Sequence, residues 1–292
     1  MAIVALRMGR SPVRTKAVKG SALAGVAVLL SMVLGCSAHE TNNNCSGSSQ
    51  CGNGNGRNEE AKPTASLELA MVTAELRDGI SVENRDAFDE APPEKGKGRG
   101  VHIDITAKNL GKAPAFISKA TMTFRKSGYL EPCYAIGGQL LTTAVYGFTI
   151  PDTQPSEPVA DGRPRLHRVP FSVSKELTHE IPPNKYEKFT LTVGPETIVE
   201  GGNPWFGVLD ITLEHDGGQK LKIGPIAVVD TGGNPAFFPD WRKGEPPWYI
   251  EKETAPGCTK RNADFVSELM KTSKLVPSKE FSSLNDALAK YR

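Results

Sequence analysis

Three sets of residues have types and spacings that could do chemistry. Asp230-Thr231-Gly232 follows Ala227, Val228 and Val229. An aspartate delivered at the end of an apolar strand suits hydrolysis by two carboxylates that share one proton. A second Asp-Thr-Gly or Asp-Ser-Gly does not occur in the chain, so a strand ending in an Asp-containing turn accounts for the segment. Five histidines form the second set: His39, His102, His167, His179 and His215. They stand singly, without an HxH or HExxH pattern, so a zinc site would have to be assembled from separate elements, and no metal or other cofactor is expected. His179-Glu180 and His215-Asp216 read as solvated turns. Neither a Gly-x-Ser-x-Gly elbow nor a phosphate loop is present, because Gly52-x-Gly54-x-Gly56 lacks a preceding strand.

The third set is the five cysteines. Four of them, Cys45, Cys51, Cys133 and Cys258, follow Cys36. An even number in an oxidising compartment favours disulfides, with three possible connectivities. The spacing suggests Cys45–Cys51 as a small local ring and Cys133–Cys258 as a long-range staple tying the C-terminal tail to the body. No CxxC cluster suggests metal binding. No catalytic constellation emerges, so a non-enzyme is expected.

The elements that position these residues begin with an address. Arg7, Arg10, Arg14, Lys16 and Lys19 precede an apolar run from Ser21 to Leu34, and the first acidic residue is Glu40. A charged leader, a short apolar core and small residues before a cut site make an export signal. The run is too short to cross a bilayer comfortably as a permanent helix. Val33-Leu34-Gly35-Cys36 resembles the lipobox of bacterial lipoproteins. That resemblance implies that Cys36 is diacylated and becomes the new N-terminus, on the outer side of the cell membrane. Residues 1–35 are then a signal peptide. The remaining chain keeps 30 of its 35 Lys+Arg against 33 Asp+Glu, a formal −3 in place of +2. Spread charge of that kind leaves no footprint for nucleic acid or for anionic lipid, both of which want clustered cations.

Residues 36–64 are dominated by Asn, Ser and Gly and read as a flexible tether, since nothing in them can form a core. From Ala65 the apolar period becomes two: Leu67, Leu69 and Met71, then Val101, Ile103 and Ile105, then Ala120, Met122 and Phe124. The charged segment Asn84 to Gly100, with Pro92 and Pro93, reads as an exposed loop. Further strands are expected at 140–150, 167–174, 186–193, 206–213 and 221–229, with a hairpin turn at His215 to Gly218. Pro151 to Pro164 reads as a crossover or a functional loop. Short strands and frequent turns predict a mostly β fold over 65–230, a sandwich of two sheets. The strand, Asn109-Leu110-Gly111-Lys112 turn, strand pattern resembles bacterial immunoglobulin-like domains, as does Ile181-Pro182-Pro183-Asn184-Lys185. The resemblance implies an immunoglobulin-like β-sandwich, with Asn184 at a position where the family prefers glycine.

Residues 231–292 form a different kind of segment. Phe237, Phe238, Trp241, Trp248 and Tyr249 lie among prolines, and either strap the sandwich or make a sugar- or peptide-binding patch, with Trp241, Trp248 and Tyr249 the candidate contacts. Two helices follow. Asn262 is expected to cap the first, whose apolar face carries Phe265, Val266, Leu269 and Met270. Ser278 caps the second, with Phe281, Leu284, Leu288 and Tyr291. The chain therefore reads as a lipid-anchored module that holds a protein or cell-wall partner near the membrane. The alternatives are a cell-envelope hydrolase with a site gathered from loop carboxylates or histidines, and a structural part of an envelope complex.

Overall fold

A computed structural model describes residues 64–86, 92–131, 133, 140–157, 164–199, 203–230, 250 and 256–292. Their strands are β1 (Leu67–Asp86), β2 (Glu94–Asn109), β3 (Ala115–Tyr129), β4 (Leu140–Val145), β5 (Phe148–Ile150), β6 (Arg165–Leu166), β7 (Phe171–Ile181), β8 (Tyr186–Pro195), β9 (Thr197–Val199), β10 (Trp205–His215), β11 (Gln219–Asp230) and β12 (Val276–Pro277). Helices α1 (Cys258–Met270) and α2 (Lys279–Leu288) close the chain. One sheet has the order β5-β8-β2-β1-β4-β9. The other has β12-β11-β10-β3-β6, with β7 also paired to β3. The protein is a β-sandwich: β1, β2 and β8 face β7, β3, β10 and β11 across a core that includes Ile103, Ile105, Ile117, Met122, Phe124 and Trp205. Phe124 stacks on Phe171 with centroids 4.6 Å apart and meets the edge of Trp205 at 6.4 Å. Such aromatic pairs add to the burial of area.

Alternation dictates these strands wherever one face is wet. Val101, Ile103 and Ile105 are buried and lie opposite Leu76, Ala74 and Val72. The Asn109–Lys112 turn is held by the Asn109 side chain, which is fully buried. Its Oδ1 accepts from the N–H of Ser66 and Gly111, and its Nδ2 donates to the carbonyls of Ala113 and Ile181. One amide therefore joins the start of β1, the turn and the end of β7. In the β7–β8 turn Asn184 takes φ 57°, a left-handed position that asparagine tolerates.

Several sequence expectations need correction. Much of Asn84 to Gly100 is strand rather than loop: β1 continues to Asp86 and β2 starts at Glu94, with Glu83 opposite Lys95 and Asn84 opposite Glu94, while 87–91 lie outside the described residues. A bulge between Asp78 and Ile80 sets the side chains. Before it Ala74 and Leu76 oppose Ile103 and Val101; beyond it Ile80 and Val82 oppose Gly98 and Gly96, so the buried side of β1 changes to the other face of β2. The glycines are needed there. A Cβ on Gly98 would lie 2.6 Å from Val82 Cγ1, and one on Gly100 would lie 2.7 Å from Tyr146 Cε1. Charge and glycine content mimicked a loop, but pairing and this close approach decided for strand.

The span 140–150 is two strands rather than one. Antiparallel β4 lies beside β1, whereas β5 runs parallel beside β8. The strand expected at 167–174 starts later, at Phe171, and runs on to Ile181. Asn262 does not cap α1, which begins at Cys258 after Gly257. It sits one turn inside the helix, fully buried. There its Oδ1 accepts from Glu131 N–H, and its Nδ2 donates to the Glu131 carbonyl, each at 3.0 Å. Ser278 does cap α2, accepting from Phe281 N–H at 3.1 Å.

The two helices bury their apolar faces on the outer side of the second sheet. Val266, Phe281, Leu284 and Leu288 share a cluster with Phe206, Val208, Ala227 and Val229. Cys133 and Cys258 are joined by a disulfide across 125 residues of sequence. Next to it, the Arg261 guanidinium donates to both Glu131 carboxylate oxygens.

Candidate binding surfaces

The strands give the sandwich two dissimilar ends. At one end the chain enters at Thr64 to Ser66 beside three turns: 110–114, 182–185 and 216–218. At the other end β1 and β2 run on past the core into an arm shared with β4 and β9. The arm has its own small core of Ile80, Val82, Ala144 and Tyr146, packed by Ile198. The arm also carries a cleft of about 220 Å³ lined by Glu83, Arg85, Pro93, Thr143 and Thr197. Lys95 pairs with Glu83 at 3.1 Å, the Lys97 ammonium donates to Ser81 Oγ at 3.0 Å, and Val145 stands 62% exposed. A polar cleft with an exposed apolar side chain beside it can take a peptide or a glycan.

Other polar groups are committed to holding the fold. Asp230 ends β11 with its carboxylate buried, and the Tyr146 hydroxyl donates to its Oδ2 at 3.0 Å. Among the described residues the group bonded there is a phenol, where the Asp-Thr-Gly segment invites a second carboxylate. Burial, followed by the Asp230 charge and that hydrogen bond, pushes the Tyr146 phenol above its ordinary range. Burial also raises Tyr129 to about 12, with help from the charges of Asp152 and Asp230. Asp104 lies on the outer face of the first sheet. Its burial works against ionisation, but hydrogen bonds from Thr190, Lys188 and Arg77 outweigh this and hold its carboxyl at about 2. The Arg77 and Thr190 contacts are each 2.6 Å, and the Lys188 contact is 2.9 Å.

The histidines are spread over separate elements. His102 Nδ1 meets the Gly100 carbonyl at 2.9 Å, His179 tilts against Phe189, and His215 Nδ1 lies 2.6 Å from Asp216 Oδ2. His215 is buried, so that pair is not the freely solvated turn expected. Ser127 and His167 form a contact that no motif announces, Oγ to Nδ1 at 3.0 Å. In outline this is a nucleophile beside a base. However, Ser127 is 1% exposed, and its Oγ also accepts from Trp205 Nε1 at 3.2 Å. Burial, and then the Arg165 charge, lower His167. These bonds satisfy buried polar atoms. The two residues stand 40 apart in sequence, and only the β3–β6 pairing joins them.

Among the described residues no group of three His, Cys, Asp or Glu could hold a metal ion, and no helix is long and apolar enough to cross a membrane. Cys36, Cys45, Cys51, Trp241, Trp248 and Tyr249 lie outside the described residues.

No family model and no curated protein matches the chain. One solved structure similar to it is an X-ray structure described as Northeast Structural Genomics Consortium target SoR45. It is 12% identical over 54% of this chain and 84% of that one, with a TM-score of 0.22. So low a score carries no argument about this protein.

Proposed function

We propose that the chain is a bacterial lipoprotein, anchored through Cys36, whose immunoglobulin-like sandwich is a non-catalytic binding module at the cell envelope. The observation that carries this reading is the division of the molecule into two ends. The chain enters at the turn end, and the arm with its polar cleft lies at the other end of β1. A 20-residue strand spans roughly 65 Å, so the arm lies far from the end of the sandwich where β1 begins. The strand arrangement β1-β2-β8 against β7-β3-β10-β11 supports the immunoglobulin-like reading. The commitment of Asp104, Ser127, His167 and Asp230 to buried bonds supports a binding role over hydrolysis. The partner class that suits the arm is a protein or cell-wall strand, and nucleic acid is not expected.

Two experiments test this. Cys36→Ala should move the protein from the membrane fraction to the soluble one, and unchanged retention would count against the anchor. A photo-crosslinker placed at Val145 on the arm should capture a discrete partner in intact cells, while one at Thr212 on the second sheet should not. Equal capture at both sites would remove the arm from consideration.

A further inference from the structure

We propose that the end of the sandwich where the chain enters is a contact surface for anionic lipid headgroups; the inference rests on the lipid-anchored reading above. Three segments distant in sequence meet there. Leu110 N–H donates to the Ser66 carbonyl at 2.7 Å, Lys112 N–H to the Thr64 carbonyl at 3.1 Å, and Asn109 N–H to the Lys185 carbonyl at 3.0 Å. Leu110 is 47% exposed and Tyr186 58% exposed, and the Lys108 ammonium lies 5.0 Å from the centre of the Tyr186 ring. Lys112 and Lys185 are both exposed. Phe116, 51% exposed, stands next to the 216–218 turn, to which its N–H is bonded through Asp216.

This set has the chemistry of a membrane interface. Tyrosine settles at headgroup level with its ring toward the acyl region. A lysine lays its stem along apolar surface and keeps its ammonium among the headgroups. Each lysine near an anionic surface raises partitioning about fivefold. Lys112 and Lys185 make no ion pair among the described residues, which leaves both free for headgroups. The acidic residues of this end are engaged or face a partner strand. Asp216 is held by His215 and Phe116, Glu187 is half-buried, and the exposed Glu68 and Glu180 lie across from Lys108 and Phe116. A tether alone lets the domain sit at any angle. This patch gives it a preferred one, with the arm pointing away from the lipid.

Hydrogen–deuterium exchange on the full lipidated protein, in phosphatidylcholine vesicles with and without phosphatidylglycerol, tests the proposal. Peptides covering 108–114 and 183–187 should slow their exchange only in the anionic vesicles, and peptides covering 94–99 and 142–146 should not change. Lys112→Gln combined with Lys185→Gln should weaken the contact about 25-fold and remove the protection, while leaving the anchor in place. Equal exchange in both vesicle types, or protection of the arm instead, would overturn the proposal. Intact mass scores acylation separately: a chain without lipid would sink the anchored reading alone. In that event the unacylated protein and the same vesicles are compared by co-sedimentation. Binding that needs the anionic lipid and falls in the double variant supports the patch, and absent or variant-insensitive binding overturns it.

Discussion

β10 and β11 are the same two strands along their whole length, yet their two halves meet different surroundings. Toward the 216–218 turn they alternate: Ile211, Leu213 and Ile223 face the core, while Thr212, Lys220 and Lys222 lie on the wetter side. Toward the other end both faces are covered. Trp205, Leu209, Ile226 and Val228 point into the sandwich, and Phe206, Val208, Ala227 and Val229 pack under α1 and α2. A half-open sheet needs polar residues at every second place, whereas a covered one must be apolar throughout. The same strand therefore records where its cover lies. The open half instead carries a hydroxyl ladder across β3 and β7, with Thr121 bonded to Ser174 and Thr123 to Ser172, each at 2.9 Å.

The largest expected effect breaks the attachment of the cover. Replacing Cys133 and Cys258 by serine removes a cross-link over 125 residues and should cost up to ~4–5 kcal/mol. Urea unfolding measures this, and exchange in α1 and α2 should quicken more than exchange in β2. Unaltered helix protection would mean that packing alone holds the cover. Phe206→Ala, beneath the helices, should cost about 3–5 kcal/mol, as read by the shift in the urea midpoint. A loss below 1 kcal/mol would show that the covered half is not a true core.

Asn262→Ala leaves the backbone N–H and carbonyl of Glu131 without their side-chain partner and should cost about 1–3 kcal/mol. A smaller effect follows from Asp104 on the open face of the first sheet. Its carboxyl is held at about 2 against an ordinary 3.8, so its contribution is present above pH 4 and is lost as pH falls toward 2. With Lys188 57% exposed, the change should be on the order of 1 kcal/mol. In Asp104→Asn that part of the acid dependence should vanish, and an unchanged pH curve would assign it to other groups. The smallest effect is at the open half, where Thr123→Ala on the exposed ladder should stay within about 0.5 kcal/mol.

Much of the sandwich was legible because period-two alternation survives wherever one face is wet, as at Val101, Ile103 and Ile105. The Asn109 turn and the Ser278 cap were legible too, because short-range hydrogen bonds fix both. The long-range staple between Cys133 and Cys258 followed from spacing. The arm was not legible. Lys95, Lys97, Gly98 and Gly100 mimic a loop, and only the packing of Val82, Ile80 and Tyr146 on those glycines explains their presence. Asn262 misled for a related reason: asparagine suits a helix cap, but here it serves another segment's backbone 131 residues away.

The sequence by itself determined the elements whose causes are local: strand alternation, turn chemistry, the second helix and the apolar faces of both helices. The tertiary structure alone decided which elements share an edge, which half of a sheet lies under the helices, and which distant side chains meet. Lys112 and Lys185 are ordinary surface lysines in a chain of dispersed charge, and they become one patch only when the β2–β3 and β7–β8 turns close on each other. The physical reason is one of range. Backbone preferences and hydrogen bonds to near neighbours act over a few residues, whereas burial and charge clustering depend on contacts that exist only in the folded chain.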